Sequence, residues 1–269
     1  MEFFSKETLE TARNLRLIDD ALFRLVGARK EVCQEILQTL LDDKELVVLQ
    51  ATPQETITSL HREVTLDVLC KLGCGKVVNI EVQKGDKTDD VRRCRFHLAT
   101  ITANKTPKGT DFKNIPDVTI LYITEYDALK NGKAVTCAQM CCKTEDSYQP
   151  LNDGAKVYYA NTVCHDNTDK SELLNLFLKK EAFQNDKFPK LSQAMQYFKE
   201  DRNGVSKVCT LVKEYAKDYA KKFANEYADE QVKKERIECA KALIEMGLTN
   251  ESISVATHLT EEEVEALRK

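Results

Sequence analysis

Apolar residues near the start of the chain recur at helical spacing. Leu15, Ile18, Leu22, Phe23 and Leu25 form one set, and Val32, Ile36, Leu37, Leu40 and Leu41 form another. The pattern predicts two opening helices, with Asp42-Asp43 at the exit. The period then shortens. Residues 46–50, 64–72 and 76–83 read as strands, and the last two are joined by Gly73-Cys74-Gly75, a connection rich enough in glycine to mark a hairpin. Residues 89–104 read as a basic helix. Val118, Ile120, Leu121, Tyr122 and Ile123 form the nearly continuous apolar run of a buried strand. Residues 134–142 and 156–163 are further strand candidates. From Ser171 onward the helical period returns, first through Leu173, Leu174, Leu176, Phe177 and Leu178, then through Leu191, Met195 and Phe198. Val208, Leu211, Val212 and Tyr215 continue it. Residues 213–238, dense in Lys, Glu and Ala, predict a long solvated helix or a helical pair. The expected organisation is a mixed α/β body over residues 1–200 and a helical region over 201–269.

The hairpin fixes a register. With residues 73–75 as the turn, Leu72 faces Lys76, and Asp67 then faces Glu81, their Cβ atoms about 5 Å apart. Gln83 lies two positions beyond Glu81 and shares its face. Val64, Leu66, Val68 and Cys70 alternate with polar positions, as do Val78, Ile80 and Val82. They predict one core face and an opposite face bearing Thr65, Asp67, Asn79, Glu81 and Gln83. A one-residue slip would drive both carboxylates into the core. Two like charges set opposite each other are destabilising unless compensated. A divalent cation compensates them naturally, because Mg²⁺ takes oxygen ligands and is commonly held by one or two carboxylates plus substrate phosphate. The plainer reading is two polar residues on a half-wet sheet, and spacing by itself does not separate the two.

Composition narrows the alternatives. The chain has 269 residues, 42% hydrophobic and 31% charged, a globular balance. The net charge of −4 argues against a surface basic all over, so any nucleic-acid contact would be a local patch. The ten cysteines include no CxxC pair, so a structural zinc site is not expected. The N-terminus lacks the apolar run of a signal peptide, and no stretch approaches a membrane span. The expected compartment is the cytoplasm, where thiols stay reduced.

Four stretches resemble the PD-(D/E)XK nuclease family transposases, also called recombination-promoting nucleases. Asp20-Ala21-Leu22-Phe23-Arg24 is similar to the family's D-x-x-F-K helix, with Arg in place of Lys. Leu66-Asp67-Val68 is similar to its metal-binding strand, and Ile80-Glu81-Val82-Gln83 to its I-E-x-Q strand. Arg93-Cys94-Arg95-Phe96-His97 resembles the R-x-R-x-Y start of the next helix, with His in place of Tyr. Residues 108–123 and the tail over 238–267 also resemble the family. The resemblance implies a restriction-endonuclease-like α/β core with a mixed central sheet flanked by helices. It implies hydrolysis of DNA phosphodiester bonds, in recombination or transposition, with Mg²⁺ or Mn²⁺ as cofactor. Asp67 and Glu81 become metal ligands, Gln83 replaces the superfamily's usual Lys and would orient water, and Asp20 becomes an additional acid. Lys84, Arg93 and Arg95 are the candidate DNA-phosphate contacts within a basic stretch that also holds Lys87, Arg92 and His97 and that Asp86, Asp89 and Asp90 dilute. Arg93 and Arg95, two apart, cannot share one helix face.

The four histidines, His61, His97, His165 and His258, form no nucleophile–His–acid arrangement. The tail reads as two short helices with Thr249 and Thr260 as N-caps and a Thr260/Glu263 capping box. It resembles a helix-turn-helix, but Glu261, Glu262, Glu263 and Glu265 suit a DNA groove poorly, so a structural or protein-contact role is expected. The long helix offers a homodimer face as the alternative to packing on the body. Against the nuclease stands a second reading, a catalytically inactive nuclease-fold module that binds DNA or protein.

Overall fold

A computed structural model describes residues 4–58, 62–85 and 91–268. His61 and Lys87 lie outside the described residues. Three helices open the chain, α1 (Lys6–Asn14), α2 (Asp20–Val26) and α3 (Lys30–Leu40). The single helix expected through Leu15, Ile18 and Leu22 is in fact broken. Asp19 is the N-cap of α2, and its carboxylate accepts the Arg16 backbone N–H at 2.6 Å, a local bond that competes with helix continuation.

Strands β1 (Val48–Thr58), β2 (Glu63–Leu72) and β3 (Val77–Gln83) form an antiparallel meander. β1 is longer than the expected 46–50 run and continues through Pro53. It lies at the sheet edge, where a residue without N–H is tolerated. Helix α4 (Val91–Lys105) leads from β3 to β4 (Val118–Thr124), which pairs parallel to β3. Next come β5 (Val135–Gln139) and a small hairpin of β6 (Cys141–Lys143) and β7 (Tyr148–Pro150). Strand β8 (Ala155–Asn161) follows, parallel to β4 and antiparallel to β5. The main sheet has six strands in the order β1-β2-β3-β4-β8-β5. Helices α5 (Asp169–Leu176) and α6 (Pro189–Lys199) follow, then α7 (Arg202–Glu245), a single helix of 44 residues. Two short helices close the chain, α8 (Asn250–Thr257) and α9 (Glu261–Leu267), capped by Thr249 and by a Thr260/Glu263 capping box.

Contacts divide the chain into two compact units, Met1–Val212 and Lys213–Lys269. In the first, the sheet is covered on both faces. Val68, Cys70, Val78, Ile80, Val82, Leu121 and Ile123 pack with residues of α1, α2, α3, α5 and α6. Val64, Leu66, Leu69, Val77, Val118, Ile120 and Tyr122 pack with Cys94 and Ile101 of α4. Burial on both faces explains the unbroken apolar text of β4. In the second unit, Ala240, Ile253, Leu259 and Val264 form a small core of their own.

The expected single apolar face of β2 is corrected. Val64 and Leu66 pack on the α4 side, Val68 and Cys70 on the other. The change of side falls at Asp67. Across from it, Gln54 is left-handed (φ 54°), and the β1/β2 ladder passes from Pro53↔Val68 to Glu55↔Leu66 without pairing Gln54 to Asp67. A left-handed residue interrupts the pleat, and the strand's alternation shifts phase there. The polar face is likewise no open surface, because α4 lies over it.

Candidate active site

The Gly73–Gly75 turn closes as expected. Leu72 donates its N–H to the Lys76 carbonyl at 2.9 Å, and Gly75 donates to Leu72 at 3.0 Å. The register that follows includes Val68↔Ile80 as its last pair. One step further, where Asp67 meets Glu81, side chains take over from the backbone. The Asp67 N–H donates to Glu81 Oε1 at 3.3 Å, and the Val82 N–H donates to Asp67 Oδ2 at 2.8 Å. Each carboxylate satisfies an amide of the opposite strand, which ties the two acids into one rigid crossing.

Glu81 lies beside Tyr122 in the parallel register of β3 with β4 and is 1% exposed. A carboxylate this deep needs partners, and α4 supplies two of them. His97 Nδ1 is 3.4 Å from Oε1, and Arg93 Nη2 is 3.6 Å from Oε2. They sit one turn apart on the inward side of α4. Asn79, two residues back on β3 and fully buried, donates Nδ2 to Oε1 at 2.7 Å. Glu81 Oε2 is buried and accepts no hydrogen bond among the described residues, and Asn79 Oδ1 also lacks a partner. Burial, and then the charge of Glu81, push the Asp67 carboxyl well above the usual range. Asp20 adds to the rise, while the Val82 amide and Arg93 oppose it.

The other expected residues fall around this pair. Asp20, at the start of α2, acts on Asp67 through its charge and accepts Gln54 Nε2 at 3.2 Å. Gln83 is half-buried, and its amide turns to the carbonyls of Lys84 and Gly85 at 3.4 and 3.5 Å, long contacts at the end of the strand. Lys84 is tied to Asp19 at 2.8 Å, so a phosphate must compete with that carboxylate for it. Arg93 and Arg95 diverge as their spacing requires. Arg93 reaches Glu81, whereas Arg95 is exposed and lines an outer cleft. The sequence pattern places Asn79 on the polar face without giving it a role, and does not point to Arg62, which lines the same cleft. A signal for Asn79 did exist, since it is the one polar residue besides Glu81 and Gln83 in the Val77–Gln83 strand.

The donor set fits a hard divalent cation. It combines two carboxylates, one with a buried, hydrogen-bond-free oxygen, and a raised carboxyl pKa that added positive charge would relieve. No group of three or more His, Cys, Asp or Glu side chains placed to hold a metal occurs among the described residues. Among the described residues, no helix is long and apolar enough to cross a membrane.

The sequence model of the family described as PD-(D/E)XK nuclease family transposase matches residues 19–242. Asp20, Asp67, Glu81 and α4 all lie inside that span, and most of the tail lies beyond it. No curated protein and no solved structure matches the chain.

Proposed function

Since the chain belongs to the PD-(D/E)XK nuclease family transposases, with the mixed six-stranded sheet and flanking helices of a restriction-endonuclease-like α/β fold, we propose that it is a metal-dependent DNA endonuclease with Asp67 and Glu81 at its centre. The observation that carries the reading is the reciprocal crossing of the two carboxylates, with Glu81 Oε2 buried and without a hydrogen bond among the described residues. Asp67 and Glu81 would hold Mg²⁺, or Mn²⁺ in its place. Bound there, the cation supplies polarisation of the scissile phosphate and a lowered pKa for the attacking water.

The protein's own groups do the rest. Asn79 and His97 fix the rotamer of Glu81 through Oε1, which leaves Oε2 for the ligand. Arg93 sits where its guanidinium can leave Glu81 for a phosphate oxygen, a planar fork suited to that exchange. Gln83 is assigned to orienting water and Asp20 to a supporting acid. Lys84 and Arg95 are assigned to the DNA backbone at either side. Recombination or transposition is the process the family description suggests.

Plasmid DNA incubated with the protein should be nicked in Mg²⁺ or Mn²⁺ and left intact in EDTA. Asp67→Asn and Glu81→Gln should abolish cutting while keeping the fold by circular dichroism. A wild-type protein that cuts no DNA with either metal would overturn the reading. A second reading, a nuclease-fold module that binds DNA or protein without cutting it, is favoured by one observation. Asn79, His97 and Arg93 give the buried Glu81 carboxylate hydrogen-bonding and charged partners from the protein itself. It predicts metal-independent binding that survives loss of both carboxylates.

A further inference from the structure

Outside the carboxylate pair, α4 presents a second, outward stripe. Arg92, Arg95, Phe96, Ala99 and Ala103 recur at helical spacing and are all exposed. The stripe borders two adjoining hollows. The first, of about 790 Å³, is lined by Arg62, Arg92, Arg93 and Arg95, with Glu63 as the one carboxylate of its lining among the described residues. The second, of about 570 Å³, is walled by Ile57, Phe96, Ala99 and Ala103 and has no charged residue in its lining among the described residues. Phe96 and Ala99 line both. Phe96 is 40% exposed, a large ring left at the boundary between a cationic cleft and an apolar shelf.

These two halves match the two halves of a nucleotide. A phosphodiester carries charge and binds guanidinium groups. A nucleobase freed from its stack presents an apolar face and binds aromatic side chains, and that pairing recurs wherever proteins hold single strands. In a base-paired duplex the bases are stacked inside and cannot reach such a shelf. Resting on the cleavage reading above, we infer that this stripe is a subsite for single-stranded DNA. Phosphates lie along Arg62, Arg92 and Arg95, and an unstacked base rests on Phe96. The substrate class that follows is DNA with an unpaired segment next to the cleavage point, such as a strand end, a bubble or a flap. Arg93 joins the two regions, since it lines the cleft and contacts Glu81.

The test is binding in EDTA, where no cutting occurs, using a 12-residue oligo-dT with a central 2-aminopurine and the same sequence as a duplex. The wild-type protein should bind the single strand more tightly than the duplex and quench the 2-aminopurine. Phe96→Ala should weaken single-strand binding by about 5- to 150-fold, the range for losing one base–aromatic stack, and should abolish the quench. It should change duplex binding less than about 3-fold, because duplex contacts are made by phosphates, while Phe96→Tyr should restore both signals. The inference is overturned if wild type does not prefer the single strand, or if Phe96→Ala binds both forms like wild type or weakens both equally. The cleavage reading is judged separately. Phe96-dependent binding without plasmid cutting in Mg²⁺ or Mn²⁺ would sink cleavage and leave the subsite standing. Cutting with indifference to Phe96→Ala would do the reverse.

Discussion

Replacing Asp67 by Asn should make the metal-free protein more stable. Burial is the main cause that raises the Asp67 carboxyl, and the charge of Glu81 is the second. Two unit charges about 5 Å apart, the spacing of directly opposed strand residues, repel by about 3 kcal/mol at an effective dielectric constant of about 20. Arg93 at 3.6 Å from Glu81 offsets part of that. The Asn side chain keeps an oxygen to accept the Val82 N–H, so the hydrogen bond at 2.8 Å survives in kind. A net gain of about 1–3 kcal/mol remains, equivalent to a rise of about 3–10 °C in Tm for a unit of this size.

The sign with pH follows from the direction of the shift. A carboxyl raised in the folded state favours folding while it stays protonated. That contribution is complete below the unfolded value of about 3.9 and is lost as pH rises through the raised folded value. The wild-type and Asn proteins should therefore melt together near pH 4 and diverge toward pH 8. Thermal melts in EDTA across that range measure the gap. Mg²⁺ should close it, because an ion at about 100 times its Kd stabilises by about 2.7 kcal/mol, and only the wild type keeps both ligands. An Asn variant no more stable than wild type at pH 8 in EDTA would refute the argument. So would an equal rise in Tm with Mg²⁺ for both proteins.

Three further outcomes follow from the geometry. Asn79→Ala removes the 2.7 Å donor that sets Glu81, and metal affinity measured by calorimetry should fall about 10- to 100-fold; unchanged affinity would show that Asn79 does not orient the ligand. Glu35 of α3 accepts the backbone N–H groups of Lys190 and Leu191 at 3.0 and 2.8 Å, capping α6, whose own N-cap Phe188 offers no side-chain bond. Glu35→Ala should cost about 1–3 kcal/mol in urea titration, with Glu35→Gln costing less. A methyl group at Gly204 would overlap the Tyr197 carbonyl, whereas one at Gly73 meets nothing closer than 3.7 Å. Gly204→Ala should lower stability by about 1–3 kcal/mol and Gly73→Ala by far less, as paired denaturation curves would show.

Much of this protein is determined by local text. Glycines at 73 and 75 close a tight turn, and that turn fixes the register as far as Val68 opposite Ile80, one step short of where Asp67 and Glu81 exchange hydrogen bonds across the strands. The caps at Thr249 and Thr260 and the apolar run of β4 are legible for the same reason, each being a contact between near neighbours or a strand buried on both sides. The break between α1 and α2, the phase change at Asp67 and the length of β1 were not legible. The first two depend on one side-chain-to-backbone bond at Asp19 and one left-handed residue at Gln54, and β1 runs on through Pro53 because it lies at the sheet edge, none of which periodicity registers. Nor could the chain's order reveal that α4 closes over the carboxylates. Arg93 and His97 meet Glu81 only because the helix returns across the sheet. Alternation along a strand tells which side chains share a face, but what covers that face, and whether a charge there ends in water or in a dry pocket, is decided by elements distant in sequence.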